Sequence, residues 1–580
     1  MTNQTIPEIF FARAKQTPKK TALLSKKDGK WRSVSYGEMA RQVRLLAGGL
    51  AVLGVQKGDR VAILSENRPE WAIADLAIMS LGAMTTSLHT TYNHQAIANL
   101  LVHCSAKILV VSNSELLKKV LDNENELPLL SKIIFIEAGA KASDDFASDK
   151  IIAWQKVLDL GQNQPAKKIA LASNDTCSVV YTSGTTGQPK GVLLSHYNFL
   201  SNSQAITSII AVSPRDVFLS FLPLSHVLER LAGYCTPLLL GCTIAYAQSP
   251  KHLPANLKEI KPTILIAVPR IFEKTHDAIW DKVNAGSKFK KKIFLWALKQ
   301  KNSRFRHIIA DFLVFRKIRA GLGGRLRLTI SGGAVLNEKI ARFFYKVGIK
   351  VLEGYGLTET SPVVAVNREN DFKFGSVGKA IPGVQIKIAP DKEILVKGSN
   401  VFGGYYKNDE ATIAAFDSEG WFKTGDLGFL DKDGFLTIIG RRKEMLALSG
   451  GKNIWPETLE SEINKDRFIT SSMVLGDKQP FVGALIVPDW QEVEIFFKQE
   501  NLPCPKQENL LDDKNVLALF QKRLDEKINP NFSDYERIKK FKLLLDDFSQ
   551  DQGELTPTLK LRRSVIAQRY HPAIVELFGR

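Results

Sequence analysis

The stretch YTSGTTGQPKGV, which runs from Tyr181 to Val192, carries more information about this chain than any other segment. Its three glycines, Gly184, Gly187 and Gly191, have no side chain to keep an anion away from the backbone N–H groups. Four neighbours add hydroxyl groups that can donate hydrogen bonds: Thr182, Ser183, Thr185 and Thr186. This composition predicts a loop that binds a phosphate, although ordinary turns between strands use the same residues.

Lys190 adds a compact positive charge suited to a polyphosphate. The P-loop of nucleotide hydrolases requires the spacing G-x-x-x-x-G-K-[ST], which Gly184, Gly187 and Lys190 do not provide. The stretch is therefore either a flexible turn or a phosphate loop of another kind, and the remaining motifs have to decide between the two.

Two downstream motifs offer groups that complement a nucleotide. EGYGLTETSPV follows an apolar strand, and in it Tyr355 presents an aromatic face to a purine, Thr358 a hydroxyl to a phosphate, and Glu359 a carboxylate to Mg²⁺. Upstream, the Gly332–Gly333 pair of SGGAVL would let a flat ligand lie against the backbone. Taken alone, each of these segments also fits a simple loop.

Three motifs near the C-terminus follow in order. In GWFKTGDLG, Asp426 can accept hydrogen bonds from two ribose hydroxyls, although a structural turn explains a lone Asp as well. GRRKEMLALSGGKNIWPETLE begins at Gly440, and LTPTLKLRR begins at Leu555. The second of these contains adjacent glycines, which permit close approach of a ligand.

In this order, the motifs resemble those of the acyl-adenylate-forming superfamily, which includes acyl-CoA synthetases, firefly luciferase and peptide-synthetase adenylation domains. The resemblance extends from about Pro7 to Ile566. The LTPTLK form and the run PLSHVLER from Pro223 resemble long-chain fatty acyl-CoA synthetases and their close relatives that use acyl carrier protein. This implies an ATP-dependent fatty acid–CoA ligase that uses ATP, Mg²⁺ and CoA and forms acyl-AMP.

The resemblance also implies a role for each motif residue. ATP or AMP would be bound by Thr182, Ser183, Gly184, Thr185, Thr186, Gly187, Gly332, Gly333, Tyr355, Gly356, Thr358, Asp426 and Arg441. The catalytic residues would be Lys560, Lys190, Glu359 and His226, with Glu359 also binding the metal. Lys443 would be the hinge, and the thiol tunnel would be formed by Gly450, Gly451 and Lys452.

Within PLSHVLER, His226 would gate the acyl tunnel or contact the carboxylate, and Arg230 would help to anchor phosphate. A buried, hydrogen-bonded histidine is the alternative interpretation of His226.

The length of 580 residues predicts at least two domains. Helical patterns alternate with short apolar strands up to about residue 375, which favours parallel α/β units, and shorter strands with a DKDG turn follow. We predict a large N-terminal domain, 1–440, of α/β subdomains plus a β-rich subdomain. A smaller, mobile C-terminal α/β domain, 441–580, would carry Lys560.

The net charge is +19, from 79 basic and 60 acidic residues. Between Lys288 and Arg319, eleven basic residues accompany a single acid, and apolar residues recur at helical spacing. Two basic amphipathic helices of this kind suit an anionic membrane surface, although the apolar stripe would equally serve to pack on the protein itself. Nucleic acid is the least favoured partner, because no nucleic-acid module accompanies the charge.

Neither a signal peptide nor a membrane-spanning helix is predicted, and the five cysteines are scattered. We expect a cytoplasmic protein, with peripheral contact on the inner face of a membrane as an option. The alternatives to a CoA ligase are an acyl-acyl carrier protein synthetase and a non-catalytic fatty-acid binding or uptake protein. The latter could dispense with four residues that are all present: Lys190, Glu359, Asp426 and Lys560.

Overall fold

A computed structural model describes residues 3–137, 148–182, 189–300, 304–500, 502–503, 510–550, 552–556 and 560–579. In chain order its strands are β1 (Thr21–Lys27), β2 (Lys30–Ser35), β3 (Arg60–Leu64), β4 (Met84–Leu88), β5 (Ile108–Val111), β6 (Lys132–Phe135), β7 (Ile151–Ala153), β8 (Thr176–Thr182), β9 (Lys190–Ser195), β10 (Val217–Ser220), β11 (Thr243–Tyr246), β12 (Ile264–Ala267), β13 (Leu328–Ser331), β14 (Lys350–Gly356), β15 (Val363–Val366), β16 (Lys379–Ala380), β17 (Val384–Ile388), β18 (Glu393–Gly398), β19 (Phe422–Leu430), β20 (Leu436–Arg441), β21 (Leu446–Ala447), β22 (Asn453–Ile454), β23 (Ile469–Leu475), β24 (Val482–Pro488) and β25 (Ile538–Leu543).

The α-helices are α1 (Ile6–Gln16), α2 (Tyr36–Val52), α3 (Pro69–Ser80), α4 (His94–Cys104), α5 (Ser114–Leu121), α6 (Trp154–Asn163), α7 (His196–Thr207), α8 (Thr236–Leu240), α9 (Leu253–Ile260), α10 (Pro269–Asn284), α11 (Lys288–Lys299), α12 (Arg304–Ala310), α13 (Arg316–Gly321), α14 (Glu338–Val347), α15 (Asp409–Ala414), α16 (Pro456–Ile463), α17 (Trp490–Gln499), α18 (Lys514–Arg523), α19 (Arg563–Arg569) and α20 (His571–Phe578). The predicted α/β fold class is confirmed.

The chain forms two compact units. The larger comprises Met1–Lys387, Leu395–Thr424 and Asp431–Leu436, and the smaller comprises Ile388–Ile394, Gly425–Leu430 and Thr437–Arg580. All of the predicted C-terminal domain, 441–580, falls within the smaller unit, and the boundary after residue 440 stays a prediction.

A seven-stranded sheet holds the glycine-rich stretch of the larger unit. Its order is β7-β6-β5-β3-β4-β8-β9. The strands from β7 to β8 are parallel, and β9 pairs antiparallel to β8. The parallel strands are short apolar runs because helices cover parallel sheets on both faces.

A nine-stranded sheet forms the rest of the larger unit's framework. Its order is β16-β15-β14-β13-β12-β10-β11-β1-β2, with a parallel centre and antiparallel strands at both ends. Gly332 comes directly after β13, and Tyr355 lies near the end of β14, the parallel strand that pairs with β13. Ligands of parallel α/β sheets usually bind at this carboxyl edge.

The remaining sheets are smaller. The four-stranded sheet has the order β17-β18-β19-β20, and the predicted DKDG hairpin joins β19 to β20 with a bond from the Asp431 N–H to the Phe435 carbonyl of 3.0 Å. In the smaller unit β21 pairs with β22, and β23-β24-β25 form a three-stranded sheet. That sheet packs on α16, α17 and α18 through the apolar residues around Phe468 and Phe497.

The apolar segment 231–247 is a π-helical turn followed by α8 and β11, with nearly every residue buried. In the described part of the chain, no helix has both the length and the apolar composition needed to cross a bilayer. Cys104, Cys177, Cys235 and Cys242 are buried and unpaired, and Cys504 lies outside the described residues.

Helices α2 and α6 lie so close together that their contact requires glycine. A Cβ added to Gly161 would fall 1.7 Å from the carbonyl oxygen of Leu45, and a Cβ on Gly49 would fall 2.0 Å from that of Val157. Backbone atoms cannot rotate away as a side chain can, so either change would force the helices apart.

We expect Gly161→Ala to lower the free energy of unfolding by roughly 1–3 kcal/mol through overpacking, despite the better helix propensity of alanine. Thermal and urea unfolding of the purified chain would measure the loss. The control is Gly321→Ala in α13, where an added Cβ meets nothing within 4 Å. Equal stability of the two variants would contradict the close contact.

Candidate functional site

The β8–β9 hairpin fixes both ends of the glycine-rich stretch. Thr182 and Lys190 are the last pair of residues that face each other across the two strands. Residues 183–188 lie outside the described residues, so the predictions for Ser183, Gly184, Thr185, Thr186 and Gly187 have no structural counterpart here.

Lys190 and Glu359 meet at one aromatic side chain, that of Tyr405. The Lys190 ammonium lies 4.9 Å from the centre of the Tyr405 ring. The Tyr405 hydroxyl donates to Oε1 of Glu359 at 2.9 Å. Tyr405 also pairs through its backbone with Val192, two residues beyond Lys190. The structure therefore brings together a predicted phosphate-binding cation and the predicted metal-binding carboxylate, 169 positions apart in the sequence.

Two buried asparagines hold the turn that carries Thr358 and Glu359. This turn is a single 3₁₀ turn, Thr358–Thr360. The carbonyl of Thr360 accepts hydrogen bonds from the side-chain amides of Asn202 on α7, at 3.3 Å, and Asn400, at 2.9 Å. The carbonyl of Glu359 accepts from the Phe402 N–H at 2.8 Å. The backbone beneath the candidate phosphate and metal ligands is therefore fixed at several points.

The two glycine-containing loops at the sheet edge lie side by side. Gly332 donates its N–H to the Ala267 carbonyl at 3.2 Å, and its Cα faces Leu228 and the carbonyl of Gly354. Gly333 has a φ of +87°, a conformation that favours glycine. Tyr355 is half-buried on β14, next to Gly356, where a Cβ would strike the Pro362 carbonyl at 1.8 Å. The predicted adenine-binding residues thus share one edge of the nine-stranded sheet.

His226 begins the turn that leads into the buried π-helical segment Glu229–Cys235. Its Nδ1 accepts from the Leu228 N–H at 3.3 Å, and the ring is half-buried. Nearby His89 is hydrogen-bonded to Ser225 at 2.7 Å, and burial, helped by His226, lowers the pKa of His89 to about 3. His226 thus has a neutral histidine as its neighbour, while the acyl role predicted for it stays a prediction.

Arg230 does not have the surroundings of a phosphate ligand, contrary to our sequence-based interpretation. Only 2% of the residue is exposed. Its guanidinium forms an ion pair with Asp75 and a hydrogen bond to the Ser178 hydroxyl, and it lies between the rings of Trp71 and Phe199 at 5.6 and 5.5 Å. Every partner is an internal one, so Arg230 is a structural residue.

Glu229, next to Arg230, is fully buried, and its carboxyl forms no ion pair within the part of the chain that the structure describes. Burial raises the pKa of Glu229 to about 8, and a hydrogen bond with the Ser220 hydroxyl works against this rise. Gly233 makes room for the carboxyl, since a Cβ there would fall 2.3 Å from Oε1. The Glu229 carboxyl is therefore neutral in the folded protein at pH 7.

In the smaller unit, Asp426 and Arg441 contact each other. Nε of Arg441 donates to Oδ1 of Asp426 at 2.8 Å, from the end of β20 to the middle of β19. Asp426 is 4% exposed, whereas Arg441 is half-buried. The N–H of Gly425, the residue before Asp426, donates a hydrogen bond to the Glu393 carboxylate at 2.9 Å. Both residues predicted to bind the ribose thus form one charged pair.

The predicted hinge and thiol-tunnel residues are all exposed. Lys443 lies in the 3₁₀ turn Arg442–Glu444. Gly450 and Gly451 form the tip of the β21–β22 hairpin, where added Cβ atoms would meet nothing within 4 Å. The Lys452 ammonium lies 5.6 Å from the Tyr535 ring. Open glycines at a hairpin tip can approach another molecule closely.

Lys560 also lies on an exposed turn of the smaller unit. Its backbone exchanges two hydrogen bonds with Thr556, from the Thr556 N–H to the Lys560 carbonyl at 2.8 Å and from the Lys560 N–H to the Thr556 hydroxyl at 3.0 Å. Residues 557–559 between them lie outside the described residues. The fixed backbone leaves the long side chain on the surface.

Sequence reasoning missed Tyr405, Asn202 and Asn400, which organise the site without belonging to a quoted motif. The local signal for Tyr405 was the pair of glycines before two tyrosines in FGGYYK. The asparagines had no local signal, because a buried amide is recognised only by the carbonyls that it reaches.

The residues around Glu359 suit a Mg²⁺ ion bound together with a nucleotide. Among the described residues there is no cluster of three or more side chains able to hold a metal alone. Mg²⁺ usually needs only one or two carboxylates and completes its shell with substrate phosphates and water. Glu359, whose carboxylate accepts a hydrogen bond from Tyr405, fits that requirement, and Lys190 lies over the ring of the same tyrosine.

We expect Glu229→Gln to change the pH dependence of stability. The unfolded carboxyl ionises near pH 4.5, whereas the buried one stays protonated to about pH 8, so the folded state binds the extra proton between these values. The wild type should therefore lose stability relative to Glu229→Gln as the pH rises from 5 to 8. Unfolding midpoints across this range would measure it, with exposed Glu115→Gln as the control. Parallel curves for wild type and Glu229→Gln would contradict the buried neutral carboxyl.

Comparison with known proteins agrees with the motifs. The sequence model of the AMP-binding enzyme family matches residues 10–406, and that of the AMP-binding enzyme C-terminal domain matches residues 443–580. The long-chain-fatty-acid–CoA ligase FadD15 of Mycobacterium bovis is 37% identical over 95% of this chain and 93% of its own length. The long-chain-fatty-acid–CoA ligase ACSBG2 of Xenopus laevis is 31% identical over 98% of this chain and 83% of its own.

Solved structures share the fold at low sequence identity. The adenylation domain of a carboxylate reductase from Mycobacterium chelonae has a TM-score of 0.82 and 20% identity, over 100% of this chain and 91% of that one. The anthranilate CoA ligase AuaEII, solved with anthranoyl-AMP, has a TM-score of 0.76 and 20% identity over 99% of both chains. The resemblance stated from the motifs is confirmed: with both family models matched across nearly its whole length, this chain belongs to the AMP-binding enzyme family.

Proposed function

We propose that this protein is a long-chain fatty acid–CoA ligase that activates its substrate as acyl-AMP and releases AMP and pyrophosphate. The observation that carries the proposal is the match over 95% of the chain to ligases of that name, at 37% identity. The cluster of Lys190, Tyr405 and Glu359 supports it, because it provides a cation and a carboxylate suited to a metal-bound polyphosphate.

In the first half-reaction a carboxylate oxygen of the fatty acid attacks the α-phosphorus of ATP, and the bond to pyrophosphate breaks. Charge accumulates on the phosphate oxygens, where Lys190 and Lys560 act as cations and Thr358 as a hydroxyl donor. Mg²⁺, held by Glu359 and the phosphates, would supply further charge neutralisation. Tyr355, Gly332 and Gly333 bind the adenine, and Asp426 with Arg441 binds the ribose.

In the second half-reaction the CoA sulfur attacks the acyl carbon, and the bond from that carbon to the AMP oxygen breaks. AMP leaves with the electron pair of this bond, and the thiol proton is released. We propose that residues 441–580 move about Lys443 between the two steps, since Lys560 serves only the first. The hairpin tip with Gly450, Gly451 and Lys452 then borders the path of the pantetheine arm. His226 contacts the acyl group or its carboxylate.

We further propose a cytoplasmic location with peripheral attachment to the inner face of a membrane through the basic stretch. CoA is the proposed thiol acceptor. Acyl carrier protein, an acidic protein, is the alternative that the positive net charge leaves open.

Release of AMP by the purified chain with ATP, Mg²⁺ and palmitate tests the proposal, with CoA and holo-acyl carrier protein compared as acceptors. We expect AMP and thioester with CoA. Product with carrier protein alone would replace the ligase by an acyl-acyl carrier protein synthetase. No AMP with either acceptor across chain lengths would indicate a binding protein.

Lys560→Ala tests the division of labour between the half-reactions. We expect it to reduce acyl-AMP formation from ATP by about 10²–10³-fold, as loss of one charge-stabilising group in a transition state does. Conversion of supplied acyl-AMP to acyl-CoA should stay close to the wild-type rate. The control is Lys522→Ala, an exposed lysine on α18. Equal loss in both half-reactions would refute the assignment of Lys560 to adenylation.

A further inference from the structure

Helices α11, α12 and α13 belong to a long insertion in the nine-stranded sheet. Their described residues, 288–300 and 304–321, are called the basic insertion below. The insertion lies between the adjacent parallel strands β12 and β13. A crossover between such strands needs only about a dozen residues, but here α10 and the whole basic insertion intervene. The topology alone therefore does not explain these helices.

One side of the basic insertion packs firmly on the larger unit. The buried residues of this side are Phe294, Ala297, Ala310, Val314 and Phe315. The Phe294 ring meets Trp280 edge-on at 5.1 Å, and Arg319 binds Asp311 through two hydrogen bonds of 2.6 and 2.9 Å. Part of the apolar pattern thus serves packing, as one interpretation of the sequence held, and these contacts fix the helices in place.

A second set of large apolar side chains on the same helices faces solvent. Phe289 and Phe305 are each 72% exposed, Phe312 is 66% exposed and Ile308 is 59% exposed. Phe305, Ile308 and Phe312 are spaced by three and four residues, which places them on one face. Single exposed apolar residues are ordinary, but a stripe of aromatic ones beside a separate, satisfied core contact marks an interaction surface.

The exposed stripe is surrounded by cations. The exposed basic residues of the insertion include Lys288, Lys290, Lys291, Lys292, Lys299, Arg316 and Lys317. Within the described residues, none of these seven forms an ion pair with an acid. The one acid between Lys288 and Arg319, Asp311, is bound by Arg319. The surface therefore combines unneutralised positive charge with exposed aromatic rings.

We propose that the basic insertion docks on a lipid bilayer that contains anionic lipids, with Phe289, Phe305, Ile308 and Phe312 entering the headgroup region and the lysines contacting lipid phosphates. Amphipathic helices with Lys and Arg beside Phe and Leu bind in this way. This surface would account for the proposed peripheral location. Only its purpose, access to a fatty acid that partitions into membranes, rests on the proposed function.

Charge complementarity decides between this occupant and others. A second copy of the chain would present the same positive charge and be repelled. An acidic protein or a nucleic acid would also satisfy the lysines, but no nucleic-acid module accompanies the charge, and an acidic protein would have to supply an apolar patch as well. A bilayer satisfies both features with one surface.

Flotation of the full chain with vesicles tests the proposal. One set of vesicles is phosphatidylcholine alone, and the other mixes phosphatidylcholine with phosphatidylglycerol. The charge variant is Lys290→Gln, Lys291→Gln and Lys292→Gln, matched by Lys19→Gln, Lys27→Gln and Lys30→Gln, exposed lysines on other elements. The apolar variant is Phe305→Ser, Ile308→Ser and Phe312→Ser, matched by Ile413→Ser, 76% exposed on α15.

We expect the wild type to float with the anionic vesicles and to be released by salt. The charge variant should lose about 100-fold in partitioning, since three basic residues leave the anionic surface, and the apolar variant should lose about tenfold or more. Both matched controls should bind like the wild type. All variants should keep the wild-type unfolding midpoint, because the altered residues are exposed.

Several results would overturn the proposal. These are absence of wild-type flotation with anionic vesicles, undiminished flotation of both variants, or equal loss in the matched controls. A wild-type dimer that the apolar variant converts to monomer would instead assign the stripe to self-association. Binding of holo-acyl carrier protein that disappears in the charge variant, without vesicle binding, would assign it to a protein partner.

The outcome can be separated from that of the proposed function. Lys560→Ala, in which adenylation of the fatty acid should be strongly reduced, should still float like the wild type. If the wild type floats with anionic vesicles but releases no AMP, the ligase is refuted and the docking surface stands. If the wild type releases AMP but does not float, the docking surface alone is refuted.

Discussion

The buried charge of Arg230 is the constraint on which the larger unit depends. A guanidinium that is 2% exposed must find its partners inside the protein, and it finds Asp75 on α3 and the hydroxyl of Ser178 on β8. Burial raises the pKa of Asp75, and the guanidinium opposes that rise. Asp75 and Ser178 belong to the framework of the seven-stranded sheet, whereas Arg230 follows β10 of the nine-stranded sheet. Removing one partner of such a pair typically costs about 3–5 kcal/mol, so the pair holds the two sheets in one arrangement.

The same pair lies close in sequence to two motifs for which we propose roles in substrate binding. Ser178 lies three residues before Tyr181, where the glycine-rich stretch begins, and Arg230 lies four residues after His226. Tyr405 then connects the other end of the stretch, Lys190, to Glu359. Phosphate loops rich in glycine have little stiffness of their own, so their accuracy has to come from the elements at their ends. Here the pairing of Thr182 with Lys190 holds both ends, and the hydrogen bond from Arg230 holds Ser178, three residues before the stretch.

Much of this arrangement could be predicted from the sequence, because its signals are local. The alternation of helices with short apolar strands and the DKDG hairpin were predicted correctly from residue type alone, and the order of the motifs identified the family. The contacts of Tyr405 and the burial of Arg230 could not be predicted. Asp75 and Arg230 are 155 positions apart, and an arginine near a phosphate motif has the same local sequence whether it faces the ligand or the core. Burial is decided by distant partners.

The basic insertion shows the same ambiguity within one short segment of the chain. Its sequence pattern fitted both packing on the protein and docking elsewhere, and the structure divides the apolar residues between the two. Val314 and Phe315 are buried, while Phe312 and Leu313, adjacent to them in sequence, are exposed. When apolar residues cover more of a helix than the face that packs on the protein, the remaining apolar surface stays exposed until a partner covers it. That excess, among exposed lysines, is the surface that the proposed bilayer would cover.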